Sequence, residues 1–173
     1  VKNLETGEIY KDKIPNTEGQ PVWANDNLTL FYTSKNAGTL LSEKIKKHKL
    51  GTDAATDKTV YEEKDPTNYI GVNKTKSDKF IFIGSGATLS SEYRYIDANK
   101  PEDAFKVFQP RMKEVLYDVD HANDKFYIRT NLQAKNFKLM TCAETKTDSS
   151  AWTELIAHND KVLIQGFDLF KNY

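Results

Sequence analysis

Hydrophobic residues occur along this chain in short runs separated by polar turns, a pattern typical of β-strands rather than of helices. The run KFIFIG (79–84) is apolar at four successive positions, so both faces of the predicted strand must be covered by other parts of the protein. Two similar runs, TLFYT and KFYIRT, lie on either side of it, and matching Leu30, Phe80 and Phe126 gives steps of 50 and 46 residues. The pattern therefore predicts a repeated β-structure.

The repeated unit contains four strand-like segments and occurs three times. The stretches ANDN, KTKSD and HAND separate the first two segments of each unit and indicate tight hairpin turns. In order, the segments are PVWA, TLFYT, KIKKHKLG and TVYEEK; NYIGVNK, KFIFIG, EYRYIDAN and FKVFQP; VLYDVDH, KFYIRT, NFKLMTCA and WTELIAH. A period of about 40–50 residues with four strands per unit is typical of β-propeller blades. We predict an all-β propeller with complete four-stranded antiparallel blades over 20–65, 67–111 and 114–158; a β-sandwich with evenly spaced strands is the alternative.

The ends of the chain extend beyond the three units. Residues 1–15, which turn at Thr6-Gly7, are predicted to form the outer strand of a preceding blade. Residues 160–173 are predicted to form the inner strand of a following blade. We therefore expect residues 1–173 to be one part of a larger propeller domain, within a longer protein.

Composition and charge exclude several classes of function. Lys+Arg and Asp+Glu both number 25, so no chain-wide field attracts nucleic acid or an anionic membrane. No stretch approaches the ~20 apolar residues of a membrane-spanning helix. The single cysteine, Cys142, forms no internal disulfide, and nothing in the sequence requires an oxidising compartment.

The stretch KFIFIGSGATLSSEYRY (79–95) is the strongest candidate for serine chemistry. A nucleophile elbow requires G-x-S-x-G on a strand-to-helix turn, whereas here glycine stands where the serine belongs, and a strand-like segment follows. The spacing of a phosphate-binding loop is absent as well. We predict that Gly84 and Gly86 lie in a loop joining two strands and that Ser85, Ser90 and Ser91 are not nucleophiles.

The remaining reactive side chains indicate structural roles. His48, His121 and His158 lack partners at metal-ligand spacing, so surface or hydrogen-bonded positions are expected for them. Cys142 is expected to be buried and unreactive. The densest positive run consists of Lys44, Lys46, Lys47, His48 and Lys49. We interpret this run as a solvated outer strand whose lysines discourage edge-to-edge association, with attraction of an acidic partner as the alternative.

Specific phrases resemble a known family. IPNTEGQPVWANDNLTLFYT, GTDAATDKTVYEEKDPTNYIGVNKTKSDKFIFIGSGATLSSEYRYIDA, FKVFQPR and DKFYIRTNLQAKNFKLM are similar to the propeller of the prolyl oligopeptidase family, and more narrowly to its oligopeptidase B (protease II) branch. The resemblance covers nearly all of residues 3–173 in order. It implies a seven-bladed propeller joined to a C-terminal α/β-hydrolase domain, in a serine peptidase that cleaves short peptides, in this branch after Lys or Arg.

The resemblance also determines which site residues are expected. The family's Ser, Asp and His triad belongs to the hydrolase domain, so no catalytic, cofactor-binding or metal-binding residue is assigned here. Inner strands of a propeller line its central channel, so we predict that Trp23, Gly71, Asp118 and Gly166 face that channel. We further predict that Arg94 and Arg111 contact the hydrolase domain.

The predicted role is to gate access of peptides to the hydrolase domain, in the cytoplasm or alternatively in the periplasm. A stand-alone propeller that binds a protein or carbohydrate is the competing class of function. Exposed blade faces also predict that the isolated chain associates with itself.

Overall fold

The computed structural model describes residues 1–170, and the regular structure in that range is almost entirely β. Its strands are β1 (Val22–Trp23), β2 (Thr29–Lys35), β3 (Ser42–Lys49), β4 (Lys58–Glu62), β5 (Tyr69–Lys74), β6 (Phe80–Gly86), β7 (Ser91–Asp97), β8 (Lys106–Gln109), β9 (Tyr117–Ala122), β10 (Lys125–Thr130), β11 (Lys138–Ala143) and β12 (Thr153–Ile156). Two 3₁₀ turns, Ala54–Thr56 and Ser149–Ala151, precede β4 and β12.

The twelve strands form three separate antiparallel sheets of four strands each. The sheets contain β1–β4, β5–β8 and β9–β12, and strands adjacent in sequence are adjacent in the sheet. We call them the first, second and third blades. The predicted all-β fold with four-stranded blades is therefore confirmed, and the strands lie within the three predicted ranges.

Because neighbouring strands are antiparallel, their connections alternate between two ends of the blades. We call the end that carries the turns 24–28, 75–79 and 123–124 the lower end. The upper end carries the connections 36–41, 87–90 and 131–137, together with the links between blades.

The predicted hairpin turns lie at the lower end of each blade. Asn27, Asp78, Asn123 and Asp124 all have positive φ angles, of 54°, 61°, 49° and 59°. Asn and Asp tolerate this left-handed region better than other non-glycine residues do. In the first turn, the Asp26 carboxylate also accepts hydrogen bonds from the backbone N–H groups of Leu28 and Thr29. These short polar stretches thus set the register of the hairpins.

Two hydrophobic cores lie between successive blades. Ile81 and Ile83 of β6 pack toward Phe31 and Ile45 of the first blade. Phe82, on the opposite face of β6, packs against the aromatic side chains of the third blade, including Phe126. The prediction that both faces of KFIFIG are covered is confirmed, because alternate residues of this one strand enter different cores.

Two local predictions are wrong. Gly84 and Gly86 lie inside β6 rather than in the loop after it, and neither has a positive φ. Gly84 is required for packing instead, because a Cβ there would lie 3.1 Å from Cε1 of Tyr93.

The lysine-rich segment is β3, which pairs with β2 and β4 on its two sides. Its lysines therefore protect no sheet edge, and Lys47 forms an ion pair with Glu102 of the second blade, with its Nζ 2.6 Å from Oε2.

The segments outside the blades form no ladder among the described residues, although both lie against blades. Near the start of the chain, Lys2 and Ile9 form an isolated β-bridge. At the other end, the N–H of Ile164 donates to the carbonyl of Asn136 at the upper end, and the ring of Phe170 lies 5.8 Å from Nζ of Lys76 at the lower end. This segment therefore runs in the direction of β5 and β9. Strands are defined by pairing, and no partner strand for either segment lies within residues 1–170, so both flanking strands stay predictions; residues 171–173 lie outside the described residues.

Candidate functional site at the upper end of the inner strands

The four residues predicted to line a channel lie on or near the first strand of each unit. Trp23 lies in β1, Gly71 in β5 and Asp118 in β9, and each of these strands is the end strand of its sheet. Trp23 and Gly71 are half-buried and Asp118 is exposed. Gly166 is exposed in the segment that follows β12. Their orientation toward a central channel stays a prediction.

Two adjoining cavities open beside the upper half of β5. The first has a volume of about 470 Å³ and lies between β5 and the segment 17–20. The second, of about 410 Å³, extends across the glycines of β6 to Tyr93. Gln20, Gly71 and Val72 line both. This concave surface is the candidate region for contact with a ligand.

Arg111 holds together the upper-end loops of the second blade. Its guanidinium donates to the carbonyl and the hydroxyl of Ser90, at 3.1 and 2.9 Å, and to the carbonyl and the hydroxyl of Ser85, at 3.1 and 2.7 Å. The Ser85 hydroxyl donates in turn to the carboxylate of Glu63 at 2.5 Å. Ser85 therefore links Arg111 to a carboxylate of the first blade that also accepts from Tyr61, and its lack of a nucleophilic role stays a prediction.

Arg94 joins the same polar network. It donates to Glu92 at 2.7 Å, and its guanidinium carbon lies 5.1 Å from the ring centroid of Tyr61 in the first blade. The other carboxylate oxygen of Glu92 accepts the backbone N–H of Arg111 at 3.0 Å. The structure thus brings the two predicted interdomain arginines to one carboxylate, where both bind within the propeller; contact with a second domain stays a prediction.

Glu63 is the acidic centre of this network. Burial would raise the pKa of this carboxyl, but hydrogen bonds from Ser85, the N–H of Asp65 and Tyr61 outweigh it and lower the pKa. An ionised Glu63 accepts the Ser85 and Tyr61 hydroxyls together. No sequence pattern indicated this role, because Glu63 follows β4 of one blade and Ser85 lies in β6 of the next.

A second ion pair links β9 and β10 of the third blade. Arg129 donates to the carboxylate of Asp118 and, through Nε, to the carbonyl of Ile164 at 2.7 Å. Its guanidinium carbon lies 3.8 Å from the ring centroid of Phe137. Burial and the charge of Asp118 raise the pKa of Tyr93 nearby. Arg129, which the sequence did not single out, therefore connects a predicted channel residue to the segment containing Gly166.

One hydrogen-bonded relay resembles the arrangement of a serine hydrolase. The Ser77 hydroxyl lies 2.7 Å from Nδ1 of His121, and Nε2 of His121 lies 2.7 Å from Glu144. Acyl transfer also requires N–H groups directed at the developing oxyanion. Within the described residues, the N–H groups of this turn, those of residues 76–79, all have acceptors already, including the Ser77 hydroxyl itself, which accepts from Lys79. The relay is consequently a joint between the second and third blades rather than a catalytic site.

The other candidate side chains have structural environments. Cys142 is buried, and this burial raises the pKa of its thiol to about 11, which agrees with the prediction of an unreactive thiol. His158 is half-buried and lies 3.8 Å from Asp160. Among residues 1–170, no group of three or more potential ligands is arranged to hold a metal ion. No helix in that range is long and apolar enough to cross a membrane.

Comparison with known proteins identifies related sequences. A family model described as prolyl oligopeptidase, N-terminal beta-propeller domain, matches residues 1–173. Dipeptidyl aminopeptidase BI from Pseudoxanthomonas mexicana is 43% identical over 173 residues, covering 99% of this chain and 24% of that protein. Protease 2 from Moraxella lacunata is 32% identical over 174 residues, covering 99% of this chain and 25% of that protein. The chain thus spans about a quarter of the length of these relatives.

Solved structures agree with the sequence comparison. Oligopeptidase B from Trypanosoma brucei, with covalently bound antipain, superimposes with a TM-score of 0.87 at 28% identity, over 94% of this chain and 23% of that one. Oligopeptidase B from Leishmania major gives a TM-score of 0.83 at 29% identity, over 91% of this chain and 22% of that one.

Proposed function

Because this chain belongs to the prolyl oligopeptidase family, within its N-terminal β-propeller domain, we propose that it serves a serine peptidase as a non-catalytic gate. The family's peptidases carry their catalytic domain in the same polypeptide as the propeller. In this proposal, the blades admit short peptides to that domain and exclude folded proteins. Exclusion is steric, and closure also shields the reaction from bulk water.

The observation that carries the proposal is the match of the whole chain to the propeller domain, combined with the environment of its serines. Ser85 and Ser91 are held by structural hydrogen bonds, and Ser77 lacks oxyanion donors among the described residues. The cavities beside Gly71 give an extended peptide a concave, partly polar surface to contact.

We also propose that the complete enzyme cleaves after Lys or Arg. The support is the similarity to proteins named oligopeptidase B and Protease 2. The relative with 43% identity is named a dipeptidyl aminopeptidase, so the position of the cut relative to the peptide's N-terminus must be measured together with the residue preference.

The first experiment separates the chain from the complete enzyme. The pure 173-residue chain is expected to hydrolyse no Arg-containing peptide, since it matches the propeller domain and the family's catalytic domain is a separate part of the polypeptide. Hydrolysis that a serine-directed inhibitor abolishes would contradict this. In the complete reading frame, a downstream G-x-S-x-G followed by Asp and His supports the peptidase, and absence of that set would favour a stand-alone binding propeller.

The second experiment tests gating in the complete enzyme. A series of peptides of increasing length, each with a single Arg, is compared with a folded protein that displays the same sequence in a surface loop. We expect kcat/KM to fall steeply with length and the folded protein to be resistant. Equal cleavage of the folded protein and the short peptide would rule out a steric gate.

The isolated chain is further proposed to associate with itself through apolar side chains of the third blade. Every residue of β12 is exposed, with Leu155 at 54% and Ile156 at 52%. Exposed apolar side chains that adjoin one another favour association.

A further inference from the structure

His48 lies on β3 of the first blade, between two carboxylates. Its Nδ1 is 2.8 Å from Oδ1 of Asp57, which precedes β4, and its Nε2 is 3.0 Å from Oδ1 of Asp12. The His48 side chain is only 1% exposed. Asp12 belongs to the segment that precedes the first blade, so the imidazole bridges this segment and the blade.

The two contacts determine the protonation state of the ring. A neutral imidazole has one N–H donor and one acceptor nitrogen, whereas an ionised carboxylate only accepts. Each carboxylate also accepts a hydrogen bond from a further donor: the N–H of Gly51 donates to Asp12 at 2.5 Å, and the hydroxyl of Tyr32 donates to Asp57 at 2.9 Å. Only the imidazolium, which donates from both nitrogens, satisfies both partners.

The electrostatic environment agrees with this geometry. Burial would lower the pKa of His48, but the hydrogen bonds and charges of Asp12 and Asp57 outweigh burial and raise it. The hydrogen bonds from His48 and Gly51 lower the pKa of Asp12. Burial, with the adjacent Asp57, raises the pKa of Tyr32, so its hydroxyl remains a donor in alkaline solution.

Few other charges face the ring among the described residues. From β2 the titratable neighbour is Tyr32, from the N-terminal segment Asp12, and from the 3₁₀ turn before β4 Asp57. On β3 itself, Lys46 shares the face of His48, whereas Lys47 is directed at Glu102 on the other side.

His121 is a matched counter-example in the same chain. It is also 1% exposed, but it has a hydroxyl at Nδ1, that of Ser77, and a carboxylate only at Nε2, that of Glu144. That carboxylate is shared with Lys79, whose Nζ lies 2.6 Å from it. Burial lowers the pKa of His121. A neutral ring that donates from Nε2 and accepts at Nδ1 satisfies both of its partners.

We propose that the His48 imidazolium is a pH-dependent latch that fastens the segment around Asp12 to the first blade and releases it when the ring loses its proton. A deprotonated ring retains one N–H, so one of the two carboxylates would face a nitrogen lone pair. The lone pair would repel that carboxylate, and a buried charge that loses one of its hydrogen-bond donors is strongly unfavourable. The contact between Asp12 and Gly51 therefore opens as the pH rises. The contacts of His121 with Ser77 and Glu144 do not open in this way.

The N–H of Gly51 reports directly on this latch, because its acceptor is the Asp12 carboxylate. At pH values between the ordinary histidine pKa of ~6.5 and the raised pKa of His48 in the folded chain, opening of the contact between Asp12 and Gly51 releases one proton from His48. The opening constant should then increase about tenfold per pH unit. Amide hydrogen exchange of Gly51 in the 173-residue chain, corrected for intrinsic base catalysis, measures this slope, and imidazole ¹⁵N shifts measure the protonation of both rings.

We expect both His48 nitrogens to be protonated at neutral pH and the Gly51 slope to be present. His48→Gln should abolish the slope, and the matched control His121→Gln should retain it. If His48→Gln does not fold, Asp12→Asn tests the proposal instead. In this variant, the titration of His48 and the pH dependence of Gly51 exchange should both move to lower pH. An unprotonated His48 nitrogen at neutral pH, or a Gly51 amide whose corrected exchange ignores the His48 titration, would overturn the proposal.

Discussion

At the scale of single residues, chemically identical side chains have different roles because of their partners. Gly84 and Gly86 lie two residues apart on β6, but only Gly84 faces an aromatic ring at close range. His48 and His121 are equally buried, yet the directions of their pKa shifts are opposite. The sequence alone does not distinguish the two glycines or the two histidines, because the deciding partners lie on other elements of the fold.

Gly84→Ala should destabilise the chain. The added Cβ would lie 3.1 Å from the ring of Tyr93, which is confined by Phe82 and Tyr117 and cannot easily move. Overpacking of this kind typically costs about 1–3 kcal/mol. Urea denaturation measures the loss.

Gly86→Ala is the matched control for that experiment, since its nearest atoms are at an ordinary 3.8 Å. We expect it to stay within about 0.5 kcal/mol of the original chain. Equal effects of the two substitutions would show that strand propensity, rather than contact with Tyr93, determines the requirement for glycine.

His121 should make the chain less stable in acid. Burial lowers its folded pKa below the unfolded value, so the unfolded state binds the proton more tightly. The resulting stability is complete above the ordinary pKa of ~6.5 and is lost as the pH falls toward the lowered folded pKa.

His121→Gln should therefore reduce the loss of stability between about pH 7 and pH 5, which spans the ordinary histidine pKa. The measurement is the urea midpoint at each pH, relative to His158→Gln, whose side chain is 25% exposed. An unchanged pH dependence in His121→Gln would mean that this ring is not neutral in the folded chain.

At the scale of elements, β6 connects the three blades, because its side chains pack into both hydrophobic cores between them. Its alternate faces enter two different cores, and Phe82 contacts Phe108 and Phe126. The apolar run alone predicted that both faces are covered, because a strand places successive side chains on opposite sides. Which neighbours cover each face depended on the order of the blades.

Phe82→Ala should be among the most damaging single substitutions. The side chain is 0% exposed, and truncation of a buried phenylalanine costs about 3–5 kcal/mol. Leu155→Ala in β12, where the side chain is 54% exposed, is the control and should have little effect on chemical denaturation. Comparable losses would indicate that β12 is covered in solution.

The role of β3 shows the limit of reading an element in isolation. Its lysines suggested an outer strand, yet it is paired on both sides. The lysine ammonium groups reach partners on other elements, such as Glu62 and Glu102. The lysines of β3 thus indicated that the ends of their side chains reach the surface. They did not indicate the position of β3 in the sheet, which depends on its pairing with β2 and β4.

At the scale of the whole molecule, the described blades leave apolar side chains of β12 uncovered. Dynamic light scattering at increasing concentration should show assemblies larger than a 19.8 kDa monomer. The double substitution Leu155→Lys with Ile156→Lys should reduce this association, because it places charge in the apolar contact.

Leu89→Lys provides the control, since Leu89 is 62% exposed in an upper-end loop and its substitution should leave association unchanged. A monomer at every concentration would contradict self-association through β12. Equal disruption by Leu89→Lys would instead indicate contact through the upper end.

The sequence by itself determined the four strands of each of the three units, the hairpin turns and the family, while the two flanking strands stay predictions. These properties depend on local alternation, turn chemistry and short phrases, all of which are contiguous in the chain. The tertiary structure decided the partners: Arg111 with Ser85, Ser85 with Glu63, Arg129 with Asp118, and His48 with Asp12 and Asp57. Hydrogen bonds and ion pairs act only over a few ångströms, so residues on different elements acquire these roles only when the sheets form and the blades pack together.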